Sequence, residues 1–255
     1  MREIENNKSL DENLKLLGDK INSHLESLIN NQYKNHQKIL EICHVGKFLL
    51  FFNNEIHIDK TTEIPDFILS HNSQKIGLEH QIVIDEIAKE KEGFFENIFL
   101  RAESDLQNDP EIPNFLANCY LHPNIEFKLE NKNQLIETVK KIVKEYVVNN
   151  NFIENELIES ISKYPHTLKN IEVNLGAYWV KQIDIESIEK AIRKKESKIS
   201  NYKKNSGNIQ WLLLVIGSTG NSSFDMDKSL KFEIETEFDK VYILEDFKNK
   251  LYELK

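Results

Sequence analysis

Apolar positions give the first outline of the chain. From Leu10 to Gln32, the residues Leu10, Leu14, Leu17, Ile21, Leu25, Leu28 and Ile29 recur every three or four places, which predicts an amphipathic helix. Ser9, followed three residues later by Glu12, suits a capping box at its start. A weaker helical pattern continues to Cys43. Gly46 then punctuates, and Lys47 to Phe52 with Glu55 to Ile58 read as two strands joined by an Asn53-Asn54 turn. Ile64 to Ser70 is a short apolar strand opening with Pro65, His71 to Gln74 is a polar turn, and Lys75 to Ile84 is a second strand. The turn makes a hairpin the natural pairing.

Longer helical patterns follow. Asp85 to Asn108 presents Ile87, Phe94, Phe95, Ile98 and Leu106 on one face, with Gly93 weakening its continuity and Pro110 and Pro113 ending it. Asn118 to Lys128 is strand-like and broken at Pro123. Leu135 to Val148 predicts a helix, Ile153 to Ser162 a shorter one, and Ile171 to Val180 alternates like a strand. Ile185 to Lys203 is a strongly charged helix, Trp211 to Ile216 a buried strand and Phe238 to Leu244 a last strand, leaving a short helix or tail at the end. Strands alternate with helices while the early part is hairpin-like, so the expectation is an α/β fold with a mixed central sheet flanked by helices on both faces.

Bulk properties narrow the setting. At 255 residues, 40% hydrophobic and 29% charged, the chain reads as one domain, 1–255, with an N-terminal helical segment over about 9–43. A formal charge of −9 argues against a broad nucleic-acid-coating face and leaves a locally basic cleft open. Cys43 and Cys119 lie far apart and suggest a reducing compartment. Met1 to Asp11 has no secretory pattern, and the longest apolar runs, Phe48 to Phe52 and Trp211 to Ile216, are too short to span a bilayer. The expectation is a soluble, cytoplasmic protein without a membrane partner.

The chemistry gathers at the hairpin. Glu79 follows Asp66 by thirteen residues, and pairing of the two strands brings them together. Glu79 and Gln81 share a strand face, whereas His80 points the other way. Glu79 sits among Ile76, Leu78, Ile82, Val83 and Ile84, where a carboxylate is costly unless paired or metal-bound. Two such acids make a hard oxygen site suited to Mg²⁺ or Mn²⁺, able to polarise a phosphate and acidify a bound water. The simpler alternatives are an Asp66 that only caps a turn and a solvated edge strand. Gly217 to Phe224 lacks the Gly-Lys-[Ser/Thr] of a phosphate loop and reads as a polar turn. Cys43-His44 and Cys119 with His122 lack zinc-knuckle spacing.

Pro65-Asp66-Phe67 followed by Ile76-Gly77-Leu78-Glu79 resembles the motif of the PD-(D/E)xK nuclease superfamily, with Gln81 at the usual Lys position. The segment from Lys194 to Tyr202, the strand Trp211 to Ile216 and the run Phe238 to Tyr242 are also similar to that superfamily. Residues 88–178 match no pattern of it and read as an elaboration. The resemblance implies a restriction-endonuclease-like fold and metal-dependent hydrolysis of phosphodiesters, with DNA as the default substrate. It implies Asp66 and Glu79 as Mg²⁺ or Mn²⁺ ligands and Gln81 as a water-orienting group. On the charged helix, Lys194, Lys198 and Tyr202 share a face through i, i+4 spacing, and the resemblance makes them stand-ins for the missing Lys and phosphate contacts. The rival expectations are a catalytically inactive nuclease-fold module that binds nucleic acid or protein, and an interaction protein in which the helices around Leu10 to Gln32 and Leu135 to Ser162 form a partner surface, with a homo-oligomer or a protein partner left open.

Overall fold

A computed structural model describes residues 1–52, 55–123, 125, 131–175, 180–218, 220–230 and 233–255. The expected Asn53-Asn54 turn, the end of the Asn118 to Lys128 strand, most of 175–180 and Thr219 of the polar turn lie outside the described residues. The chain divides into two compact units, one made of Met1–Ile84 with Lys181–Lys255 and the other of Asp85–Val180.

The first unit is built on a seven-stranded mixed sheet. In chain order it contains β1 (Arg2–Ile4), α1 (Leu10–Ile29), α2 (Gln32–Leu49), β2 (Ile56–Thr61), β3 (Phe67–His71) and β4 (Gln74–Ile82). The chain leaves for α3 (Glu86–Leu106), β5 (Phe115–Leu121), α4 (Lys132–Asn149), β6 (Ile158–Pro165) and β7 (Lys169–Asn174) of the second unit. It returns with β8 (Lys181–Gln182), α5 (Ile185–Glu196), α6 (Ile199–Ser206), β9 (Gln210–Ile216), β10 (Phe224–Asp225), β11 (Lys240–Glu245) and β12 (Lys250–Glu253). The sheet order is β1-β12-β11-β9-β4-β3-β2. β4, β9 and β11 run parallel, and antiparallel hairpins extend the sheet on either side.

Both faces of the central strands are covered. Leu78, Leu213, Val215 and Tyr242 pack with Ile42, Val45, Phe48 and Leu49 of α2, while Leu212, Leu214 and Ile243 pack with Ile188, Ile192, Ile199 and Tyr202 of α5 and α6. Every residue of β9 is buried, which is why its sequence after Gln210 is a continuous apolar run. Fully burying one such side chain contributes about 1.5–3 kcal/mol. The capping box forms as expected: the Ser9 N–H donates to Glu12 Oε2 at 2.8 Å and the Glu12 N–H to Ser9 Oγ at 3.3 Å. The apolar stripe of α1 is buried only in part, since Ile21 is inside and Leu10, Leu14 and Ile29 are exposed.

Three expectations change in the first unit. Residues 47–49 belong to α2 and not to a strand. Ile42, Val45, Phe48 and Leu49, all fully buried, keep the helical period across Gly46. That glycine marks a close approach: a Cβ there would lie 2.5 Å from Ile21 Cγ2 and 2.7 Å from Leu17 Cδ1, both on α1. The single helix over 185–203 is two helices, with Ser197 as the C-cap of α5 and Lys198 as the N-cap of α6. The end of the chain is a strand, β12, paired with both β11 and β1.

In the second unit, α3 and α4 cover one face of a three-stranded sheet of order β6-β5-β7. Ile158 to Ser162, expected as part of a helix, lies in β6. The reason is a bulge. Leu121 pairs with Ile158 and Tyr120 with Ser160, so Glu159 is an extra residue, and the buried Ile158 and Ile161 come three apart as they would on a helix. The Asn155 side-chain oxygen accepts from the N–H groups of Leu157 and Ile158 and starts the strand.

Candidate metal and phosphate site

The β3–β4 hairpin positions the acids. Its turn uses Asn72 and Ser73, both at positive φ (48° and 66°), and pairs His71 with Gln74. The ladder continues to Phe67 opposite Leu78, and Asp66 follows one residue beyond, next to Glu79. The Asp66 N–H donates to Glu79 Oε2 at 3.2 Å, and the His80 N–H donates to Asp66 Oδ2 at 2.9 Å. The segment carrying Asp66 is held from several sides. The Thr62 N–H donates to the Asp66 carbonyl at 2.9 Å, Lys38 to the Thr62 carbonyl at 3.0 Å, and Asn205 to the Ile64 carbonyl at 2.8 Å.

Glu79 faces the α5–α6 side, because it is the lateral neighbour of Leu212 on β9. Gly77, on the same face, leaves room for α6: a Cβ there would fall 2.3 Å from both Ser206 Oγ and Gln210 Oε1. The lysine that reaches the acids is Lys195. Its Nζ lies 2.6 Å from Glu79 Oε1 and 4.0 Å from Asp66 Oδ2, with all three side chains less than one-fifth exposed. Lys195 continues the buried stripe of Ile188, Ala191 and Ile192 at helical spacing, which marks it as inward-facing but carries no sign of the acids it meets. Lys194 and Lys198 are exposed, and neither contacts Asp66 or Glu79 among the described residues. The break at residues 197–198 puts Lys194, Lys198 and Tyr202 out of phase, so the shared face expected for them does not form.

Tyr202 is buried, and its hydroxyl lies beside the Glu79 carboxylate. Burial first, then the nearby Glu79 charge, raises its pKa. Burial and the Glu79 charge push Asp66 up to about 6, against the opposing effects of the His80 N–H and Lys195. His80 lies on the other face, as its phase in β4 requires, where its Nε2 is 3.0 Å from His44 Nδ1. Burial, then His44, holds His80 down to about 3. Gln81, the neighbour of Leu214 on β9, is half-buried, and its Oε1 is without a hydrogen-bond partner among the described residues.

The donor set suits a hard divalent cation. Two carboxylates repel each other in a place where water screens them poorly, and a cation between them relieves that repulsion. Mg²⁺ is commonly bound by one or two carboxylates and keeps several waters. Among the described residues no group of three or more His, Cys, Asp or Glu side chains gathers as a metal site. Also among the described residues, no helix is long and apolar enough to cross a membrane.

Compared with protein-family models, with curated proteins and with solved structures, the chain matches none.

Proposed function

We propose that this protein is a metal-dependent nuclease of the restriction-endonuclease-like type, hydrolysing phosphodiester bonds with DNA as the first substrate to test. One observation carries the reading: the Lys195 ammonium lies 2.6 Å from Glu79 and 4.0 Å from Asp66, beside two acids on adjoining strands. That is a cation next to a carboxylate pair, which the resemblance expects from a Lys at position 81. Asp66 and Glu79 hold Mg²⁺ or Mn²⁺, and the ion, when bound, polarises the phosphate and acidifies a water. Lys195 steadies the negative charge on the phosphoryl and leaving oxygens as the bond to the leaving group breaks. Gln81 and Tyr202 lie on the same side of the sheet to position water or phosphate. Lys194 and Lys198, exposed beside Lys195, are the candidates for contacts to neighbouring phosphates.

The test is cleavage of single- and double-stranded DNA and of RNA with Mg²⁺ or Mn²⁺. Asp66→Ala and Glu79→Ala should each abolish cleavage while the protein stays folded by circular dichroism. The absence of metal-dependent cleavage of any polynucleotide would overturn the reading. A second reading has its own support, because the Lys195–Glu79 ion pair partly neutralises the site without a metal. It makes the protein a binding module of the same fold, and its signature is nucleic-acid or protein binding that persists in EDTA with no cleavage.

A further inference from the structure

We propose that Gln81 is a metal ligand in its own right, its side-chain carbonyl joining the Asp66 and Glu79 carboxylates in a three-oxygen site for Mg²⁺ or Mn²⁺. The inference rests on the metal-site part of the nuclease reading and gives Gln81 a different task from orienting water.

Three observations lead to it. Gln81 follows Glu79 by two residues on β4, and their neighbours Leu214 and Leu212 on β9 both belong to the core under α5 and α6, so the two side chains share a face. Gln81 Oε1 is closed off from water and accepts no hydrogen bond among the described residues. A buried carbonyl left this way is unfavourable, and native proteins keep few of them unless a function or a bound group needs the atom. Finally, the positive charge that a Lys at position 81 would bring already comes from Lys195 on α5.

The two tasks of one residue are therefore divided between two. An ammonium at position 81 would repel a cation, whereas an amide oxygen is a hard, neutral donor that adds a ligand without adding to the crowded negative charge. Lys195 supplies charge from the helix side, and Gln81 is released to coordinate from the strand.

The experiment uses the full chain and the metal alone. Mn²⁺ binding is read by electron paramagnetic resonance, Mg²⁺ binding by calorimetry, and the melting temperature is taken in EDTA and with metal. Gln81→Met keeps the length and removes the oxygen, and should weaken Mn²⁺ binding tenfold or more while melting in EDTA stays level or rises. Gln81→Glu keeps the oxygen and should bind Mn²⁺ at least as tightly as wild type at pH 8. Should the Met variant fail to fold, Gln81→Asn, which retracts the oxygen by one methylene, should lose affinity where Gln81→Glu does not. Met-variant binding within twofold of wild type, or equal losses for Met and Glu, overturns the proposal and leaves the nuclease reading standing. A wild-type protein that binds neither ion removes the metal-site reading together with this inference.

Discussion

Each unit buries a charge, and the two charges are treated in opposite ways. In the second unit, Lys169 at the start of β7 sends its ammonium into the end of α3, donating to the carbonyls of Leu106 at 3.2 Å, Gln107 at 2.9 Å and Asp109 at 2.6 Å. Three donors meet three acceptors at a helix C-terminus, where unsatisfied carbonyls and the helix dipole favour a cation. In the first unit, Glu79 is just as buried, yet it is crowded by Asp66 and only partly compensated by Lys195. A buried charge satisfied by backbone holds a fold together. A buried charge set beside a like charge costs stability, and such pairs are common where a protein binds or reacts with something.

Removing the cation from each arrangement should separate the two roles. Lys195→Met should lower cleavage about a hundredfold or more while Mg²⁺ binding by calorimetry persists, with Lys15→Met, at an exposed position of α1, as a control that changes the rate less than about threefold. An equal loss in both variants would remove Lys195 from its special place. Lys169→Met should leave metal binding untouched and destabilise the second unit by about 3 kcal/mol, since three buried carbonyls lose their donor. Hydrogen exchange should show the loss concentrated in residues 85–180, and a loss spread evenly over the chain would contradict this.

Asp66 tests the comparison from the other side. Its carboxyl is held up to about 6, above its ordinary 3.8, so between these values the folded protein binds more protons than the unfolded chain. This group's contribution to stability is therefore full below about pH 4 and is lost as the pH rises through 6. In metal-free protein at pH 8, Asp66→Asn should raise stability by on the order of 2 kcal/mol, with the gain vanishing near pH 4. Urea melts at the two pH values check the sign, and a variant less stable than wild type at pH 8 would contradict it. The smallest effect is expected at Gly46→Ala. Its new methyl group meets Ile21 and Leu17, and about 1–2 kcal/mol should be lost despite the better helix propensity of Ala, measurable by thermal melting.

Much of this site could be read along the chain. The hairpin, the turn at Asn72-Ser73, the adjacency of Asp66 and Glu79 and the opposite aim of His80 all follow from alternation in two strands joined by a short turn. What misled were places where the phase changes. The bulge at Glu159 gave a strand the spacing of a helix, and Gly46, a contact point between helices, looked like a break. The actual break, at Ser197 and Lys198, has no Gly or Pro to announce it, and only the weaker helix formers Ser197, Ser200 and Asn201 mark the place. The i, i+4 row that starts at Lys194 therefore ends with α5, before Lys198.

The sequence by itself determined which residues face inward within each element, because a strand repeats every two residues and a helix every 3.6. That was enough to pair two acids thirteen residues apart and to separate Gln81 from His80. The choice of Lys195 among several neighbouring lysines was made only in three dimensions. It depends on a contact across 116 residues of chain, set by how α5 and α6 lie on β4 and β9 and by the room that Gly77 leaves there. Local periodicity carries no information about such a distance, and packing does.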